Sequence, residues 1–144
     1  MKFVSENLEQ TQKIANDFVS TLLSNPDRAT VVGLYGNLGA GKTTFTQCIA
    51  KAFGVIDTVT SPTFVLEKIY ELTDQKFTHL IHIDAYRIEK SSELLHLGWN
   101  DLISDPNNIV LIEWPERVAD IMPEHIKINL SHITENSREI EILE

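Results

Sequence analysis

The 144 residues include a single cysteine, Cys48, so the chain cannot build a disulfide framework or a multi-thiolate metal site. Arginine is sparse too, at four residues. Arg28, Arg87, Arg117 and Arg138 are spread along the chain, which offers no arginine-bearing lid of the kind small-molecule kinases use to clamp a transferring phosphoryl group. No apolar run approaches the ~20 residues of a membrane span, and no charged segment leads into a long apolar one as in a leader peptide, so the expectation is a cytoplasmic protein without a membrane role. Basic residues are outnumbered 12 to 21, for a net charge of -9 and a pI near 4.9. Affinity for a polyanion comes largely from lysine and arginine displacing counterions, so unaided nucleic-acid binding is disfavoured. The acidic surface serves solubility or meets a basic patch on a partner. Six glycines and five prolines stand as isolated punctuation, with no repeat, linker or low-complexity tract. The expectation is one domain over residues 1–144, large enough to bury roughly two-thirds of its extended surface.

Against these absences stands one informative stretch. Gly36-Asn37-Leu38-Gly39-Ala40-Gly41-Lys42-Thr43 fits the phosphate-binding pattern G-x-x-x-x-G-K-[ST] without a mismatch. Ala29 to Tyr35 (ATVVGLY) precedes it as a buried parallel strand should. Phe45, Cys48, Ile49, Ala52 and Phe53 follow at the spacing of an amphipathic helix over 42–53, closed by Gly54. Strand, glycine loop and helix are the context a P-loop needs. Glycines let consecutive N–H groups and the positive helix end converge on phosphate oxygens. Lys42 would then face the β/γ-phosphates and Thr43 would present a hydroxyl to Mg²⁺. The predicted ATP and ADP site covers Gly36 to Thr44, and so includes Gly39, Ala40, Gly41 and Thr44. Cys48, on the apolar stripe, reads as a buried structural thiol.

The remaining chain predicts an α/β fold: a P-loop-type mixed sheet flanked by helices. A first helix spans about Asn7 to Leu23, with Leu8, Thr11, Ala15, Phe18 and Leu22 on one face and Asn7 and Gln10 placed as a capping box. Thr11 is polar on that stripe; it either bonds back to a helical carbonyl or lines the nucleotide pocket. Thr58 to Phe64 reads as a hydroxyl-rich loop, followed by a hairpin of Phe64–Leu72 and Phe77–Asp84. Ser91 or Ser92 caps a helix running to Ser104 with a break at Gly98. Asn108 to Glu113 (NIVLIE) is a second buried strand. A short helix near Glu116 to Ile121 and a final pair of strands, Ile126–Ile133 and Arg138–Leu143, complete the chain.

Mg²⁺ on a triphosphate needs a carboxylate near the P-loop threonine, commonly at the end of a neighbouring apolar strand. Glu113 ends NIVLIE and Asp84 ends LIHID, and both qualify. Glu113, at the tip of the more uniformly apolar strand, is assigned to the metal side and Asp84 to the attacking water or its surroundings. Thr63, or Ser61 beside it, stands after the P-loop helix where a switch threonine would sense the γ-phosphate. His79 and His82 lie three apart on one strand, point to opposite faces and read as structural. Trp114 covers the nucleotide or a partner, or packs at an edge. No N-K-x-D motif follows the second strand, so adenine is favoured over guanine.

Together these residues resemble the small bacterial P-loop ATPases of the tRNA threonylcarbamoyladenosine pathway, the TsaE type. The resemblance rests on GNLGAGKTT at 36–44, SPTF at 61–64, HIDAYR at 82–87 and IEWPE at 112–116, in the family's order. It implies that Lys42 and Thr43 bind phosphate and Mg²⁺, that Glu113 is the metal-side acid, that Asp84 is needed for activity, that Thr63 marks a switch loop and that Thr11 contacts the nucleotide. It also implies slow ATP hydrolysis that resets an assembly with two partner proteins, which carry the carbamoyl-transfer site and hold the tRNA. A small-metabolite kinase and a nucleotide-dependent binding module without turnover are the alternatives.

Overall fold

The computed structural model of the protein describes residues 1–56 and 67–144. Its strands are β1 (Lys2–Ser5), β2 (Thr30–Tyr35), β3 (Glu67–Glu71), β4 (His79–Asp84), β5 (Asn108–Glu113), β6 (Ile126–His132) and β7 (Arg138–Leu143). The helices are α1 (Leu8–Thr21), α2 (Lys42–Ala52), α3 (Ser91–His96) and α4 (Trp99–Ser104), with a 3-10 segment at Pro115–Ile121. All seven strands form one sheet in the order β1-β7-β6-β2-β5-β4-β3. Its centre, β6-β2-β5-β4, is parallel, and both margins are antiparallel. The expected α/β fold with a mixed sheet is therefore what forms.

Strand parity sorts the side chains into two cores. Val32 and Leu34 of β2, Ile109 and Leu111 of β5, Leu80 of β4 and Ile128 and Leu130 of β6 face α1 and α2, where Ala15, Phe18, Phe45 and Ile49 are buried. Val31, Ile81, Ile83, Val110 and Ile112 face the other way, onto Leu94, Trp99 and Val118. Each large side chain so buried contributes roughly 1.5–3 kcal/mol, which holds the sheet between its two helical layers. All six residues of β5 are buried, the burial of a central strand. Because β2, β4 and β5 run parallel, their C-terminal ends emerge together, and that edge carries the P-loop, Asp84 and Glu113.

Several local expectations are corrected. β1 was not foreseen: four residues with mixed exposure carry almost no periodic signal, and they become a strand only by pairing with β7. Leu8, assigned to the buried stripe of α1, is exposed, whereas Thr11, Ala15, Phe18 and Leu22 are buried. Asn7 caps α1, its Oδ1 accepting from Gln10 N at 2.8 Å. Ser91 does not cap α3; Lys90 is the capping residue, and the Ser91 hydroxyl bonds Asp120. The break at Gly98 is real, with φ +86 separating α3 from α4. The predicted loop from Thr58 to Phe64, with Ser61 and Thr63, lies outside the described residues.

Candidate functional site

β2 delivers the chain at Tyr35 into the glycine loop, and α2 begins at Lys42. Gly36 has φ +149, and a Cβ there would meet the Leu130 carbonyl oxygen of β6 at 2.5 Å, so the loop leaves the sheet against a neighbouring backbone with no room for a side chain. Gly41 caps α2 at φ +98, and Ala40 is buried beneath the loop, its N–H bonded to Asn37 O. The first N–H groups of α2 have no helical acceptor and point with the helix dipole into the loop, an arrangement that attracts an anion.

Lys42 is 5% exposed. Its Nζ donates to Gly36 O at 2.5 Å and Asn37 O at 2.9 Å and stands 4.1 Å from the centre of the Trp114 ring. Burial pushes the ammonium pKa down, and the carboxylates of Glu113, Glu116 and Asp84 pull it back up. Trp114 holds a left-handed backbone, φ +59, unusual for a bulky residue and a mark of local strain. That turn lays the indole over Lys42. Tyr86 packs against the same indole at 5.1 Å between centroids, and Arg117 sits 5.5 Å from the Tyr86 ring.

The acids occupy adjacent strand ends, Asp84 and Glu113 being register partners. Glu113 is 2% exposed, and Thr43 Oγ1 donates to its Oε1 at 2.9 Å. Its Oε2 lies 2.6 Å from His82 Nε2. A carboxylate only accepts, so the imidazole is the donor, and the pair forms a buried chain Thr43–Glu113–His82. Reading His82 as a merely structural histidine missed this contact. The available signal was its position two residues before Asp84, which places it on the α2 face of β4. His79 takes no part. Asp84 Oδ1 accepts from Tyr86 N at 3.0 Å, which fixes the acid at the start of the following turn.

Thr11 bonds back to Asn7 O at 3.1 Å, the first of its two expected roles, and its hydroxyl also meets Ser5 Oγ at 2.6 Å. It also lines, with Thr44, Asn136 and Arg138, a cleft of about 470 Å³ beside the loop. The structure therefore gathers Thr11, Gly36, Gly39, Ala40, Gly41, Lys42, Thr43, Thr44, Asp84 and Glu113 at one sheet edge. Among the described residues no group of three His, Cys, Asp or Glu is arranged to hold a metal alone. One hydroxyl and one carboxylate, Thr43 and Glu113, nevertheless fit Mg²⁺, whose octahedron is commonly completed by phosphate oxygens and water.

With this geometry in hand, the relatives are informative. Residues 5–140 match the family model described as threonylcarbamoyl adenosine biosynthesis protein TsaE. The tRNA threonylcarbamoyladenosine biosynthesis protein TsaE of Treponema pallidum is 33% identical over 143 residues, 99% of each chain. That of Bacillus subtilis is 34% identical over 97% of this chain and 83% of its own, and that of Rickettsia felis is 36% identical over 94% and 75%. The crystal structure of Bacillus subtilis YdiB superposes with a TM-score of 0.75 at 29% identity, covering 97% of this chain and 82% of that one.

Proposed function

The chain belongs to the TsaE family of tRNA threonylcarbamoyladenosine biosynthesis, and from that premise we propose that it is a Mg²⁺-dependent ATPase serving the complex that makes this modification. The observation that carries the reading is the Thr43–Glu113 contact beside a complete P-loop, because a hydroxyl and a buried carboxylate at that spot have the chemistry for a nucleotide-bound Mg²⁺. The loop N–H groups and the N-terminus of α2 would bind the phosphates. On ATP binding Lys42 would exchange its two loop carbonyls for β/γ-phosphate oxygens, remaining charged under Trp114 with Glu113, Glu116 and Asp84 nearby. Mg²⁺, when bound, neutralises the charge that develops on the phosphates. Glu113, held from behind by His82, would keep its other oxygen toward the metal side. Asp84 would orient the attacking water.

The reading extends to a cytoplasmic protein acting with the two other proteins of the threonylcarbamoyl-transfer complex, which hold the tRNA. No helix among the described residues is long and apolar enough to cross a membrane. The charge of -9 supports tRNA contact only through those partners.

The test is ATP turnover by this chain alone and with the two partners and tRNA. Slow phosphate release to water that rises with the partners is expected. Lys42→Ala should nearly abolish it, and Thr43→Ala should weaken the Mg²⁺ dependence more than Thr44→Ala does. Phosphoryl transfer to a metabolite would replace this reading with a kinase, and ATP binding without any product would replace it with a binding module.

A further inference from the structure

Arg138 opens β7, two strands from β2 on the side away from β5, so its side chain reaches the P-loop opposite Glu113. The guanidinium lies close against Gly41. A Cβ there would come within 2.9 Å of Arg138 Cζ and closer still to Nη1. Nη1 is inaccessible to solvent, and among the described residues it has no hydrogen-bond partner and no ion pair involves this side chain. A charged donor left in that condition costs stability, and such groups in a folded protein call for an explanation. Arg138 also lines the neighbouring cleft, together with Glu6, Glu135, Asn136 and Thr44, the residue directly after the P-loop threonine.

Resting on the ATPase reading above, we infer that Arg138 is a nucleotide-binding residue that clamps a non-terminal phosphate, the one nearest the nucleoside. A nucleotide laid across the loop has its terminal phosphates at Lys42, Thr43 and Glu113. Its nucleoside end must then leave on the opposite flank, where the guanidinium and the cleft beside Thr44 lie. Arginine's planar donors suit two phosphate oxygens at once, and Gly41 is the residue that lets the group approach the loop so closely. The chain thus carries an arginine at its phosphate site despite the dispersed positions in sequence. It touches a part of the nucleotide common to ATP and ADP, so it holds both and does not discriminate between them.

The experiment measures ATP and ADP binding by calorimetry with Mg²⁺ for the full chain and for Arg138→Met, Arg138→Lys and Lys42→Ala, together with thermal unfolding without nucleotide. Arg138→Met keeps the apolar stem and removes the charge. It should weaken ATP and ADP by the same factor, about ten- to a hundredfold, as expected for a charge-assisted hydrogen bond, with Arg138→Lys between it and the parent. Its melting temperature should stay level or rise, since an unpaired buried donor is gone. Unchanged affinities, a loss confined to ATP, or a fall in melting temperature that accounts for weaker binding would each overturn the assignment. If the parent chain binds neither nucleotide, the ATPase reading fails with it; if the parent binds, Lys42→Ala does not and Arg138→Met does, only the role of Arg138 fails.

Discussion

The buried contact between His82 and Glu113 predicts a large thermodynamic coupling. The two side chains are 0% and 3% exposed and 2.6 Å apart, so neither has water available as a replacement partner. His82→Leu removes the donor to Glu113 Oε2 while retaining apolar volume. Leaving one partner of a buried pair alone costs about 3–5 kcal/mol. Part of that is offset because the His82 Nδ1, which lacks a partner among the described residues, also disappears, so a net loss of about 2–4 kcal/mol is expected. Glu113→Leu leaves an imidazole N–H unpaired at about 1–3 kcal/mol and also removes the acceptor of Thr43 Oγ1, a loss that the double variant shares and that cancels in the coupling. The double variant leaves neither group orphaned and should be less destabilised than the sum of the singles by about 2 kcal/mol or more. His82→Gln, whose amide nitrogen reaches near the position of Nε2, should lose less than His82→Leu. Urea unfolding of the nucleotide-free protein measures all four variants, with unchanged m-values as the check that a common two-state transition is compared. A coupling below about 0.5 kcal/mol would refute the claim that His82 supports the acid.

Glu113→Gln should raise the Mg²⁺ concentration needed for ATP binding, whereas Asp84→Asn should leave affinity largely intact and lower turnover by about a hundredfold or more; a Mg²⁺ titration of both variants reverses the assignment if the shifts appear in the opposite variant. Gly36→Ala must place a Cβ 2.5 Å from Leu130 O at φ +149, and should cost about 1–3 kcal/mol in unfolding experiments together with most of the nucleotide affinity. Cys48 is buried on α2, and burial raises its thiol pKa despite nearby Lys51 and Arg138, so less thiolate forms at any given pH. A thiol-reactive dye should therefore label the native protein at pH 8 far more slowly than the urea-unfolded chain, and equal rates would show the thiol to be accessible.

Local sequence determined whatever depends on adjacent residues. The strand, loop and helix from Ala29 to Phe53 are legible because the glycines, Lys42, Thr43 and the 3.6-residue stripe all act within one short stretch. The acids at the ends of LIHID and NIVLIE were legible for the same reason, as the charges that close two apolar runs, although Glu113 is itself buried and is tolerated there through Thr43 and His82. Tertiary structure alone decided which distant residues share the site. Arg138 lies about a hundred residues beyond the P-loop and reaches it only because β7 pairs with β6 and β6 with β2. His82 meets Glu113 only because β4 and β5 are parallel neighbours, set so that Leu111 lies opposite His82 and Glu113 opposite Asp84. Strand pairing is chosen by burial summed over the whole sheet, and no periodicity within a single strand records which neighbour will supply its partner.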